Sequence, residues 1–383
     1  MNKVKLELFS TLFDNHTIPD IYSNISYSDN QSIKNLNAHT NIGNIVYSVN
    51  LVPSYMNIHL VDNQVFNVKK IPQFNWGYAI FLNTYSDASE YLKSKFNSNF
   101  RTNLNRSIRR LETCFDVNYK MYHGEIMFED YEVLMESLRI MLVNRFSALN
   151  ESNNNLPKWK DICAETFPLL NEKKASLFVI YDGNKPIEIS LNFHLDKILF
   201  SSISSYDLDY SKFGLGHIEI YKQLEWCYLN NYEVFEMGVG GMDYKRRWSN
   251  NIYNFEHHIY YNNSLFSTCC ALFEIYKIQL KEYLKGKKIP EYLRQAKSAI
   301  SSYRKVDEKV LEPVKIEQLD AKTSYENLVR IDIQSEAFSH IRKHVYDFLY
   351  SNPENIANVA IFQIEDNNSY IVKGSDNQIK ITV

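Results

Sequence analysis

Glycine is scarce in this chain, so the places where it clusters mark backbone that other residues cannot form. Of 383 residues eleven are glycine, yet Gly214, Gly216, Gly238, Gly240 and Gly241 share one stretch, SKFGLGHIEIYKQLEWCYLNNYEVFEMGVGGMDYKRRW (residues 211–248). Its apolar spacing predicts a tight turn, a helix from about His217 to Asn230, a strand from Tyr232 to Met237 and a second glycine turn. A helix start exposes unpaired N–H groups and a partial positive charge, which together bind phosphate. Glycines at that point let the backbone approach an anion with no side chain between. The run is neither a P-loop nor a dinucleotide fingerprint, whose third glycine would fall where Glu219 stands. A plain turn is the other reading of Gly214 and Gly216.

The surrounding pattern gives the turn its setting. Residues 1 to about 90 alternate apolar runs with Asn/Ser-rich turns and read as strands and loops. Next, Ser86 or Asp87 caps a basic helix in which Lys93, Lys95, Arg101, Arg106, Arg109 and Arg110 meet no acidic residue between Tyr91 and Leu111. Tyr131, Leu134, Leu138, Met141 and Leu142 recur at helical spacing and read as core. From Ala175 onward SLFVIY, IEISLNFHL and KILFSSISSY read as three consecutive antiparallel strands, the first two joined at Asp182-Gly183. A strand NIYNFEHHIYY and a closing helix FSTCCALFEIYKIQLKEYL follow the glycine stretch, with Cys269-Cys270 read as packed.

Three antiparallel strands, a glycine turn, a helix and a strand ending in glycines and Tyr244-Lys245 resemble the acyl-CoA-binding core of the GNAT acyltransferase superfamily. Tyr206-Asp207, Gly214-Leu215-Gly216, Glu236 with Gly238 and Gly240, and Tyr244-Lys245 look most like the bacterial CelD/BcsL-type (cellulose-biosynthesis) acetyltransferases, which are similar to Fem-type aminoacyl transferases. The basic stretch and Arg145-Phe146 share that likeness, which covers about residues 75 to 260. Two departures stand out: the family tends to carry aspartate in place of Glu236, and its phosphate loop often differs from FGLG.

The resemblance implies an α/β (α+β) fold of two tandem GNAT-like domains, each a mainly antiparallel mixed sheet flanked by helices, plus a small C-terminal β-α-β-β module. The expected divisions are a degenerate half with the basic helix at 1–125, an acyl-CoA-binding half at 126–300, a linker at 301–324 and the module at 325–383. It also implies transfer of an acyl group, expected to be acetyl, from acetyl-CoA or another acyl-CoA to an amine on a small molecule, sugar or peptide. Ser204, Ser205 and Tyr206 on the third strand, with Lys212, Phe213, Gly214, Leu215, Gly216 and His217, would hold the donor. Glu236 is the first choice of base, with His217, Glu188 and Asp243 as alternatives. Tyr244 would protonate the leaving thiolate and Lys245 would orient it or fix a substrate carboxylate, while Arg145, Glu188, Gly238, Gly240 and Asp243 would meet the acceptor. Each has a structural alternative: Glu236 as the ion-pair partner of Lys245 or Arg246, His217 as a solvated helix end, Tyr244 as a core ring. The whole chain retains two rival readings, a tRNA-dependent Fem-type aminoacyl transferase and an inactive GNAT-fold binding module. An acyl carrier protein or tRNA would use the basic helix, which otherwise is a solvated or internally paired face.

Bulk properties exclude other classes. A net charge of −3 argues against a general nucleic-acid binder. No apolar run approaches the ~18 residues of a membrane span, and the start has no signal-peptide pattern. The five scattered cysteines fit neither a disulfide framework nor zinc spacing, which suggests reduced thiols in a cytoplasm. His257-His258 has no partner at ligand spacing, and no metal is expected. Oligomeric state is open.

Overall fold

The computed structural model describes residues 2–28, 31–39, 45–240, 243–287, 314–320, 328–364 and 368–383. Two compact units are assembled from interleaved segments, the first from 1–84, 193–201 and 231–307, the second from 85–192, 202–230 and 308–383. Position 125 therefore falls inside a segment of the second unit, and most of 301–324 lies outside the described residues.

The first unit opens with β1 (Asn2–Glu7), α1 (Leu8–Phe13), β2 (Tyr22–Ser28), β3 (Gln31–Lys34), β4 (Ile45–Pro53), β5 (Asn57–Leu60) and the long β6 (Asn67–Phe81). Helix α1 corrects the all-strand expectation for this region. Its Leu8, Phe9, Leu12 and Phe13 bury one face, and Phe9 meets the ring of Phe200 edge-on at 4.7 Å. Short as it is, tertiary burial rather than propensity stabilises it.

The chain then enters the second unit through α2 (Ala88–Lys95) and α3 (Ser98–Cys114). The expected single basic helix is two, because Asn97 accepts the Phe100 amide and starts a new helix. Asp87 caps α2 through the Glu90 amide, while the Glu90 carboxylate accepts the Ser86 amide at 2.7 Å. Strand β7 (Val117–Tyr122), α4 (Phe128–Ala148), α5 (Trp159–Asn171) and β8 (Ala175–Asp182) follow, and α4 buries Tyr131, Leu134, Leu138, Met141 and Leu142. Strands β9 (Lys185–Leu195) and β10 (Ile198–Tyr206) supply residues to both units. In β9 the inward alternation is unusual. Ile187, Ile189 and Leu191 face one way, Glu188, Ser190 and Asn192 the other, and all are buried.

Helix α6 (Leu215–Leu229) belongs to the second unit; β11 (Val234–Val239), α7 (Asp243–Trp248), β12 (Asn251–Tyr261) and α8 (Leu265–Gly286) return to the first. In the first unit the main sheet runs β1-β4-β12-β6-β11-β10, and β3-β2-β5 form a small second sheet. The second unit has the order β10-β9-β8-β7. Cys269 on α8 is exposed rather than packed, since a helix with one face on a sheet leaves the other in solvent.

The C-terminal residues form β13 (Lys315–Leu319), β14 (Leu328–Arg330), α9 (Ser339–Ser351), β15 (Ala360–Ile364), β16 (Ser369–Lys373) and β17 (Gln378–Thr382). Their separate antiparallel sheet has the order β13-β17-β16-β15-β14, two strands more than the pattern read from sequence. The spacing of Phe338, Ile341, Val345, Phe348 and Leu349 predicts one helix face; the last four are buried on α9, whereas Phe338 lies half-buried in the turn before the helix.

Candidate functional site

Glu236 is the focus of the first unit. It stands at the last rung of the parallel β10–β11 ladder, Phe200↔Glu236, and on its other side pairs with Ala79 of β6. Beyond it the β6 register shifts, because Gly238 adopts φ +66 and forms a bulge. A Cβ there would come within 3.0 Å of Phe200, so both conformation and space require glycine. Bulges re-aim neighbouring side chains, and here the result is a carboxylate with 0 % exposure.

The Gly238 amide donates to Glu236 Oε1 at 2.6 Å and the Tyr55 hydroxyl to Oε2 at 2.9 Å. Tyr253 adjoins the same carboxyl, although its buried hydroxyl forms no hydrogen bond of normal geometry. Its ring lies so close over Gly77 that a Cβ on Gly77 would overlap it. Burial pushes the Glu236 carboxyl up, against the opposing pull of Gly238 and Tyr55, to about 7. A carboxyl so placed changes charge near neutral pH, which suits a proton acceptor.

Lys245 does not form the expected ion pair. Its ammonium donates to the carbonyls of Met237 at 2.5 Å and Val239 at 3.1 Å, straddling the bulge. Burial lowers its pKa. A Cβ on Gly240 would lie 3.3 Å from the Lys245 side chain, so that glycine leaves room for the lysine. Gly241 lies outside the described residues. Asp243 is exposed and Tyr244 half-buried on α7, a helix where the sequence suggested only a turn.

In the second unit, Gly214 holds φ +71 as the N-cap of α6. The Gly214 carbonyl accepts the amides of His217 and Ile218, while those of Leu215 and Gly216 have no acceptor among the described residues. A Cβ on Gly214 or Gly216 would meet nothing within 4 Å, so this helix start opens onto space. Phe213 and Leu215 anchor the turn in the core. Lys212 turns away, reaching the Asp347 carbonyl and Ser351 hydroxyl of α9 at 3.4 Å each. His217 packs edge-on against Phe100 at 5.4 Å rather than standing in solvent. Ser204 is half-buried, Ser205 is buried, and Tyr206 lies 5.6 Å beneath the Arg145 guanidinium.

Sequence reasoning missed Glu219, and it named Glu188 without foreseeing its buried setting beside Glu219. Glu219 takes the amide of Gln223 one turn on, and burial pushes its carboxyl up to about 7. Glu188, 1 % exposed, has no hydrogen-bond partner for either oxygen among the described residues, and its carboxyl is pushed up by burial and by Glu219. The signal was Glu219 and Gln223 four apart on the buried face of an apolar helix. Tyr55, the partner of Glu236, carried no signal, since it lies in a loop far upstream.

Among the described residues no three metal-ligating side chains converge, and no helix is long and apolar enough to cross a membrane. Residues 98–246 match the family model described as an acetyltransferase (GNAT) domain. No curated protein matches. Solved structures with partial likeness include FemX (6 % identity, TM-score 0.40, covering 55 % of this chain and 71 % of that one). A conserved protein of unknown function from Bacteroides thetaiotaomicron matches at 10 % identity and TM-score 0.37, covering 56 % of this chain and 70 % of that one. A functionally unknown conserved protein from Staphylococcus epidermidis matches at 11 % identity and TM-score 0.31, covering 57 % and 73 % respectively.

Proposed function

We propose that this chain, whose residues 98–246 match the acetyltransferase (GNAT) domain model, transfers an acyl group from an acyl-CoA thioester to an amine. The observation that carries this reading is Glu236: a carboxyl closed from solvent, fixed by a bulge amide and a tyrosine, that exchanges its proton near neutral pH. An acceptor amine with a pKa of about 10.4 is protonated at neutral pH and must lose a proton before it attacks. Glu236 takes that proton, and Lys245 keeps the bulge in shape through its two carbonyl contacts. Tyr244 returns a proton to the leaving thiolate.

The donor's diphosphate fits the start of α6. The amides of Leu215 and Gly216 are the donors, and the absence of a Cβ at Gly214 and Gly216 admits the anion. With Lys212 engaged on α9, this grip relies on the main chain. Arg110 is stacked 4.6 Å from Tyr350, and Arg106 is bonded to Asn103.

Acetyl-CoA consumption across a library of amines tests the proposal, with charged tRNA assayed beside it. Turnover that disappears in Glu236→Gln supports it. Thioester untouched by every amine, or acyl transfer only from tRNA, overturns it.

A further inference from the structure

A cavity of about 870 Å3 opens in the first unit against the β3-β2-β5 sheet, lined among others by Tyr27, Ser28, Gln31, Tyr55, Asn57 and Phe81. Its volume is that of a small-molecule site. The described lining contains hydroxyls, amides, aromatic rings and the imidazole of His59, but no Lys, Arg, Asp or Glu. With no cation to meet it, a phosphate or carboxylate ligand would be bound poorly.

Two carboxylates lie just behind this neutral surface. Tyr27 donates its hydroxyl to Asp196 at 2.6 Å, and Ser28 and Gln31 donate to Glu233 at 2.7 and 3.0 Å. Tyr55 in turn gives its hydroxyl proton to Glu236 at 2.9 Å. The protons of Tyr27, Ser28 and Tyr55 thus point at carboxylates; the Tyr27 oxygen also accepts the Lys197 amide at 3.2 Å, while the lone pairs of Ser28 and Tyr55 remain to accept from a ligand. A surface of acceptors backed by negative charge selects a donor-rich, cationic guest. Aromatic rings beside neutral hydrogen-bonding groups suit the two faces of a sugar ring.

The geometry points to this cavity as the acceptor site, taking an amino sugar whose amine is deprotonated through the Tyr55 hydroxyl onto Glu236. In that relay the ammonium N–H bond breaks as a proton joins the Tyr55 oxygen, and the original Tyr55 proton moves to the Glu236 carboxylate. The nitrogen lone pair is then free to bond to the acyl carbon as the C–S bond breaks and the thiolate departs. The relay rests on the acyl-transfer reading above; the cavity's ligand does not.

Calorimetric titration of the full chain with glucosamine and its β-1,4-linked dimer, without any thioester, tests the ligand. Glucose lacks the amine, glucosamine 6-phosphate adds an anion, and putrescine lacks the ring. The amino sugars are expected to bind about tenfold or more tighter than all three, and Asn57→Ala and Phe81→Ala to weaken them. Equal binding of putrescine or of the phosphate, or no sugar binding, overturns the assignment. For the relay, Tyr55→Phe is expected to lower kcat at saturating sugar about tenfold or more, over and above any change in sugar affinity. If wild-type protein acylates the sugar and Tyr55→Phe does so at the same rate, the relay fails while the acyl-transfer reading stands. If the sugar binds and no amine is acylated, the reverse holds.

Discussion

Tyr55 and Glu236, 181 residues apart in sequence, share a hydrogen bond of 2.9 Å. The strand order explains it: β11 lies against β6 and β6 against β12, while β12 also pairs with β4, whose end leads to Tyr55. Sheet topology thus supplies the proposed base with a partner from far upstream in the chain.

Replacing Glu236 with Gln keeps a side chain able to meet Gly238 or Tyr55 but removes the proton acceptor. The expected result is a fall in kcat of about 10²–10⁴-fold with little change in KM for the thioester. In the native chain kcat should rise with pH through about 7, as the carboxyl loses its proton. That limb should vanish in the variant, as a pH–rate profile would show.

Stability should also depend on pH, in the opposite sense. Glu236 and Glu219 are each pushed up to about 7 from an ordinary value of 4.5. The folded state therefore binds protons more tightly than the unfolded one. The resulting stabilisation is complete below the ordinary value and is lost as pH rises through about 7. Melting temperatures should fall between pH 5 and pH 8, with a slope of up to about 1.4 kcal/mol per pH unit for each group. Glu219→Gln, which has no proton to lose, should flatten that slope in calorimetry.

Gly216→Glu adds its side chain in open space, so folding should survive with a melting temperature near native. The new carboxylate stands beside the Leu215 and Gly216 amides and should abolish thermal stabilisation by coenzyme A. Gly214→Ala, by contrast, forces a side chain into φ +71 and should cost about 1–2 kcal/mol by itself.

Tyr346 of α9 lies 4.7 Å from Tyr210 and 4.9 Å from Phe115, its ring fully buried. Tyr346→Ala should destabilise the second unit by about 3–5 kcal/mol in urea unfolding. Because Tyr210 belongs to the segment leading into Gly214, weaker coenzyme A binding should accompany the loss.

Much of this was legible in sequence, and the exceptions have physical causes. The helix read as 217–230 spans Leu215–Leu229, because an amphipathic repeat and a glycine N-cap are local signals. Gly238 was legible for the same reason: few other residues adopt its dihedral. Helix α1 was not, since six residues exhibit no clear period and its burial depends on Phe200, far along the chain. Lys245 as an ion-pair partner was a charge argument. The structure satisfies the ammonium with carbonyls of the bulge, a contact that exists only once Gly238 has turned the backbone. Glu219 was passed over as a missing glycine, because its importance comes from what the packed sheet sets against it.

In the first unit β6 is flanked by β11 and β12, and β4 is flanked by β1 and β12. A growing chain therefore exports β6 long before β11 and β12 exist, and β4 with only β1 to pair with, leaving bare edges prone to pairing with strangers. Such a protein should refold slowly after dilution from denaturant, and its yield should respond sharply to holdase chaperones during synthesis.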